Sequence, residues 1–188
     1  MSAAAAPLRT ERLLLIPATI TMLEAAIASH EALAAALGAD VPNSWPPDLL
    51  DSEALAYTIN QLQLGEDQQA WWMYFVCTID TGGAPRLIGS VGYKGPPLSD
   101  GTVEVGYGIV GDHQRRGFAT EATRALLVEA FSHEAVKRVI AETLPILEPS
   151  IGVLKKVGFS FVGQGSLDGV IRFEMSREAY LAAGINES

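Results

Sequence analysis

Short apolar runs alternate along this chain with stretches whose apolar residues recur every three or four positions. Leu8 to Pro17, with Leu13-Leu14-Leu15-Ile16 ended by Pro17, predicts a first strand. Thr19 to Leu37 is rich in Ala and Leu and predicts a helix that stops at Gly38. Prolines at 42, 46 and 47 then forbid regular structure around Trp45. Asp51 to Leu64 predicts a second helix, which Asp51 or Ser52 can cap and Gly65 can end. Strands are expected at Trp71 to Ile79 and Arg86 to Tyr93, with a turn at Thr81-Gly82-Gly83. A loop through Gly95-Pro96-Pro97 leads to a further strand from Thr102 to Val110. Ala119, Ala122, Leu126 and Ala130 mark a long helix from Phe118 to Ser132. Arg138 to Thr143 reads as strand, and Pro149 to Val157 as a short helix closed by Gly158. Phe159 to Gln164 and Val170 to Met175 read as a closing hairpin, and Ser176 to Ala183 as a last short helix.

This order predicts an α/β (α+β) fold with a mixed sheet of about seven strands and helices on both faces. Helical crossovers require some parallel pairing, and hairpins some antiparallel pairing. No linker or repeat divides the chain, so residues 8–183 are expected to form one domain, with 1–7 and 184–188 as flexible ends.

Composition narrows the picture. Of 188 residues 48% are apolar and 19% charged, enough for a core and unlike a disordered chain. No apolar run reaches the roughly 18 residues that span a bilayer. The small residues of Met1 to Ala6 carry no basic segment, so a signal peptide is not expected and a cytoplasmic location follows by default. A lone Cys77 excludes a disulfide framework and reads as a small core residue. Cys77, His30, His113 and His133 show no metal-ligand spacing, so no metal is expected. A net charge of −9 argues against a nucleic-acid partner and would favour a cationic substrate such as an amine, although acidity also serves plain solubility.

The segment richest in chemistry runs from the strand Glu104-Val105-Gly106-Tyr107-Gly108-Ile109-Val110, through a tight turn, into the long helix at Gln114-Arg115-Arg116-Gly117-Phe118-Ala119-Thr120. The first amides of a helix have no intrahelical partner and lie at the positive end of its dipole, which makes an anion site. Gly117 lets the backbone approach a ligand, and Ala119 keeps the next position small. Arg115 and Arg116 add charge, and Thr120 a hydroxyl. A pyrophosphate is the natural ligand; the plainer reading is a strand–turn–helix with solvated arginines. A Rossmann-type nucleotide site would need Gly-x-Gly-x-x-Gly after the first strand, where Pro17-Ala18-Thr19 stands instead.

Gln114-Arg115-Arg116-Gly117-Phe118-Ala119 resembles the Gln/Arg-x-x-Gly-x-Gly/Ala signature of GNAT acetyltransferases. Leu8-Arg9-Thr10-Glu11-Arg12-Leu13 and Glu104-Val105-Gly106-Tyr107 are similar to the branch that includes ribosomal-protein N-terminal acetyltransferases. So is Pro149-Ser150-Ile151-Gly152-Val153-Leu154-Lys155-Lys156-Val157-Gly158-Phe159. That branch often has Arg at Ile16 and Asn at Glu148, and an ionised Glu148 can only accept hydrogen bonds. The resemblance implies a mainly antiparallel sheet splayed between its fourth and fifth strands, with the CoA pantetheine inserted in the splay against the backbones of Ile109 and Val110. It implies acetyl-CoA as co-substrate, its pyrophosphate on the 114–120 loop, and an amine acceptor met by a monomer or homodimer. Glu148 motivates a second reading, a regulatory or weakly catalytic acyl-CoA-binding domain.

Acetyl transfer needs a neutral amine, a polarised carbonyl and a proton for the leaving thiolate. Strand alternation puts Glu104 with Gly106 and Gly108 on one face, and Val103, Val105, Tyr107 and Ile109 on the other. Glu104 is the candidate base, with the glycines leaving room beside it; it also reads as a solvated strand glutamate. An amide near Tyr107 or Gly108 is the candidate donor to the thioester oxygen. Ser150 is the candidate acid by resemblance, or the N-cap of its short helix. Tyr107 can instead supply the proton or border the substrate, or simply fill the core. His113 reads as exposed. Trp45 is either a rigid wall for the acceptor or a plug over the core.

Overall fold

The computed structural model describes residues 5–79 and 83–185. Its centre is one eight-stranded sheet in the order β1-β2-β3-β4-β5-β6-β8-β7. The strands are β1 (Leu8–Arg9), β2 (Leu13–Pro17), β3 (Met73–Thr78), β4 (Arg86–Tyr93), β5 (Thr102–Ile109), β6 (Arg138–Thr143), β7 (Ser160–Gln164) and β8 (Ile171–Ser176). Every pairing is antiparallel except β5 with β6. Six helices accompany them: α1 (Ile20–Ala28), α2 (His30–Leu37), α3 (Ser52–Leu64), α4 (Phe118–Ser132), α5 (Glu148–Val157) and α6 (Arg177–Ala183).

The continuous apolar runs of β3 and β4 are buried at successive positions, as strands covered on both faces must be. Tyr93 marks the face under α4, because its hydroxyl donates to the Leu126 carbonyl at 2.6 Å. Phe75 marks the opposite face, where it meets Trp45 at a ring separation of 5.8 Å. Helix α4 buries Phe118, Ala122, Leu126 and Ala130 at a four-residue spacing, with Thr123, Leu127 and Phe131 beside them.

Several expected elements differ in the structure. The first strand is a hairpin: Thr10 N–H donates to Leu13 O, and the Thr10 hydroxyl accepts from Leu13 N–H, each at 2.9 Å. The single expected helix from Thr19 to Leu37 is two helices. Ser29 adopts extended backbone between them, its N–H donating to Ala25 O and its hydroxyl accepting from Ala32 N–H. Strand β3 starts at Met73, because Glu66–Trp71 winds into a 3₁₀ turn first. Eight strands rather than seven result. Of the expected turn at Thr81-Gly82-Gly83, Thr81 and Gly82 lie outside the described residues. The ends pack more than expected: Ala5 N–H donates to Gln69, and Ile185 lies against the core.

Among the described residues, no helix is long and apolar enough to cross a membrane, and no His, Cys, Asp and Glu cluster could hold a metal. Cys77 is buried, as its apolar run implied, and burial pushes its thiol up to about 12.

Candidate active site

The sheet opens where β5 leaves β6. The two strands pair in register only over Thr102–Glu104 and Arg138–Ile140, whereas β4 follows β5 from Val105 to Ile109. Glu104 O accepts from Lys94 N–H and Val110 N–H donates to Ile88 O, so even-numbered residues of β5 turn their peptide groups toward β4. Backbone groups alternate along a strand, so Tyr107 and Ile109 turn theirs into the gap. This corrects two expectations. Val110 cannot line the gap through its backbone, because its N–H is bound to Ile88 O and its carbonyl accepts from His113, each at 2.9 Å. Of Tyr107 and Gly108, only Tyr107 aims its amide into the gap. Ile109 retains an inward N–H, while its carbonyl is held by the Gln114 side chain at 2.9 Å.

At the mouth of the gap lies the N-terminus of α4. Gly117 stands there with φ 83° and Arg115 with φ 61°, both left-handed. Glycine accepts this freely; an arginine does so at a cost of about 1–2 kcal/mol. Left-handed residues in such a turn aim successive amides into one concavity, the arrangement of an anion-binding nest. No side chain caps α4, unlike α1, α2, α3 and α6, which Thr19, Ser29, Asp51 and Ser176 cap. Glu121 N–H closes the first turn on Gly117 O, so the amides of Phe118, Ala119 and Thr120 precede the first intrahelical bond. Arg115 and Arg116 are exposed, and the Phe118 ring is buried beneath the turn. Gln114 closes the loop onto β5 by donating its side-chain amide to Ile109 O.

Arg12 completes this end of the site and was not singled out in the sequence beyond its place in Thr10-Glu11-Arg12-Leu13. Its guanidinium lies 4.6 Å over the Phe118 ring, donates to Arg116 O at 3.1 Å and pairs with Glu121 at 2.6 Å. An open groove of about 1090 Å³ runs from Gly117 and Thr120 past Arg124 to Lys156, with residues 7–12 as its wall. Burial alone would push the Glu121 carboxyl up, but hydrogen bonds from the Thr10 hydroxyl and from the Arg12 amide and guanidinium hold it below its ordinary value of 4.5. A carboxyl lowered by folding contributes stability above its ordinary range and loses it as pH falls through the lowered value. Glu121→Gln is therefore expected to cost about 1–2 kcal/mol at pH 7 and much less near pH 3. Urea denaturation of both proteins at the two pH values checks this; a gap that stays constant contradicts it.

On the α4 side of β5, the Tyr107 hydroxyl donates to Ser150 O at 3.0 Å and lies 3.2 Å from Ser150 Oγ. Burial pushes the Tyr107 phenol up to about 12, against the lowering effect of the Ser150 contact. Ser150 is not the helix cap: α5 begins at Glu148 with Leu147 before it, and Ser150 sits inside the first turn. Exposed Glu148 opens the helix, where a carboxylate is favoured by the dipole.

On the opposite side, Glu104 is 22% exposed and ion-paired with Lys94. A Cβ on Gly106 would meet nothing within 4 Å, whereas one on Gly108 would meet Pro47 at 3.2 Å. Room therefore exists beside Glu104 but closes toward Gly108. Trp45 is 4% exposed and packs on Phe75. It is the plug over the core, and the Pro47 turn next to it is what covers Gly108. His113 is partly buried; desolvation, then Arg116 and Arg86, hold its imidazole below the ordinary range.

Residues 12–160 match the family model described as the acetyltransferase (GNAT) domain. An uncharacterized N-acetyltransferase of Bacillus subtilis, YjdG, is 28% identical over 153 residues, covering 81% of this chain and 88% of its own. A putative GNAT-family acetyltransferase from Bordetella pertussis superposes with a TM-score of 0.66 at 20% identity, over 92% of this chain and 100% of its own. RimL, a ribosomal-protein alpha-N-acetyltransferase solved with coenzyme A, superposes at 0.61 and 14% identity, over 93% of this chain and 99% of its own.

Proposed function

This chain belongs to the GNAT acetyltransferase family, and from that premise we propose that it moves the acetyl group of acetyl-CoA directly onto a primary amine, in a ternary complex. The observation that carries the reading is the coincidence of two openings: the β5–β6 gap and the uncapped N-terminus of α4 at its mouth. A linear ligand with a pyrophosphate in its middle fits both at once. The amides of residues 117–120 would hold the pyrophosphate, with Arg115 and Arg116 adding charge. The groove past Arg124 and Lys156 offers space and cations for the nucleotide half. The pantetheine arm would run along the inward groups of Tyr107 and Ile109 as a substitute strand. The Tyr107 amide would then face the thioester oxygen and take up the charge that develops there.

The amine would approach from the other face of the sheet, over Gly106, and give its proton to Glu104 directly or through one water. The nitrogen attacks the carbonyl carbon, the C–S bond breaks, and the thiolate emerges toward Tyr107 and Ser150. Those two hydroxyls are 3.2 Å apart and share one hydrogen-bonded unit. A protein or peptide N-terminus and a small amine both meet these requirements. No acyl-enzyme is needed: Cys77 is fully buried.

The test is free-thiol release from acetyl-CoA with three amine classes: peptides with free N-termini, peptides with a lysine side chain, and polyamines. Intersecting initial-rate lines are expected as both substrates are varied. Parallel lines would point to a covalent intermediate and remove the ternary complex. Acetyl-CoA binding without thiol release on any class would favour the regulatory reading.

A further inference from the structure

Glu104 does not stand alone in its cleft. Lys94, the residue that follows β4, lies directly opposite it, with Lys94 N–H donating to Glu104 O at 2.9 Å, and the two side chains form an ion pair. Other charges on this face are matched among themselves. On β6 and β8, Arg138 pairs with Asp100 at 3.2 Å and Glu174 at 3.9 Å, and Arg172 with Glu142 at 2.7 Å. Asp48 belongs to the turn over Gly108. Lys94 is thus the cation matched to Glu104 among the described residues. Its side chain is 61% exposed, while Glu104's is 22% exposed. An exposed ammonium on a free, four-carbon stem can leave and return without disturbing the sheet.

An alkylammonium with three N–H donors is also what a primary-amine substrate presents before it loses its proton. Beside the pair, Gly106 leaves the floor open. We propose that Lys94 is a built-in stand-in for the acceptor: its ammonium occupies and orients the Glu104 carboxylate, and an arriving amine must displace it. Lys94 thereby sets a threshold that a cationic acceptor has to pass and is a specificity-determining residue, not a catalytic one. This rests on the reading of Glu104 as the base. The threshold is low, because exposed ion pairs are weak.

Lys94→Met and Lys94→Arg in the full chain test it. The amine KM should fall about two- to fivefold in Lys94→Met and stay at or above the unsubstituted value in Lys94→Arg, with acetyl-CoA affinity unchanged in both. kcat at saturating amine should change little in Lys94→Met, so that the effect appears in KM. Binding of n-butylammonium, followed by carbon-13 NMR of the glutamate carboxyls at fixed pH, should tighten in Lys94→Met. An amine KM or a butylammonium affinity unchanged in Lys94→Met overturns the proposal. Glu104→Gln separates the two ideas. Full activity in that variant removes the base; lost activity there with no effect of Lys94→Met removes only the stand-in.

Discussion

Gly117→Glu is expected to weaken acetyl-CoA binding by about a hundredfold or more while leaving the protein folded. The side chain would leave Cα toward Arg12, whose Nη2 lies 3.4 Å from the Cβ position, an ordinary contact. Holding a non-glycine residue at φ 83° costs about 1–2 kcal/mol, well within the 5–15 kcal/mol typical of a domain. The ligand suffers far more. A carboxylate about 4 Å from a phosphate repels it by about 4 kcal/mol at an effective dielectric of 20, on the order of a thousandfold before screening. The new carboxylate also competes for Arg12 and fills the concavity the amides line. Gly117→Ala is the control, since it carries the backbone strain without charge or length; its loss should be about tenfold at most. Calorimetry with acetyl-CoA, beside thermal denaturation of each variant, reads both terms. Equal affinity in Gly117→Glu and the unsubstituted protein would remove the phosphate seat from α4.

The α4 end of this site was legible in the sequence because its chemistry is local. Gly117 and the helix it opens are consecutive residues, and the left-handed turn into an uncapped helix forms there without help from the rest of the fold. The β5 alternation was equally legible: Val103 and Val105 are buried while Glu104 and Gly106 are not. What was not legible depends on partners distant in the chain. Val110 looked available until Ile88 took its amide, and Ser150 looked like a cap until the helix began two residues earlier at Glu148. Arg12 acquires its meaning only when β2 is laid beside α4 and Glu121 receives it.

The helix break at Ser29 shows a different limit. Serine followed by His30 and Glu31 is a reasonable start signal. It lies in an Ala- and Leu-rich stretch whose propensity favours helix throughout. The break is decided by packing, because α1 and α2 each bury one leucine, Leu23 and Leu33, against the core. Trp45 has the same lesson. Prolines around it predict a stiff segment, yet stiffness serves a plug as well as a wall, and only the ring of Phe75 beneath it distinguishes the two.

Ser150→Ala and Tyr107→Phe are each expected to lower kcat about ten- to a hundredfold, with acetyl-CoA affinity changed little. The size follows from what the pair can do. A phenol pushed up to about 12 remains protonated at every working pH. Giving its proton outright to an alkyl thiolate, a weaker base than the phenolate this tyrosine would become, is uphill. Donating a hydrogen bond to the same thiolate carries no such penalty and contributes about 1.5–3 kcal/mol, the range that sets the predicted loss. In the free protein the Tyr107 hydroxyl donates to Ser150 O, so the Ser150 hydroxyl is the mobile member that can turn toward sulfur. Because both belong to one hydrogen-bonded unit, the double variant should lose little more than the worse single one. Tyr107→Phe keeps the ring and its packing, so thermal stability should fall only slightly. A loss beyond about a thousandfold in Tyr107→Phe alone, with Ser150→Ala unaffected, would mean that the tyrosine is a true general acid and that its pKa drops when CoA is bound.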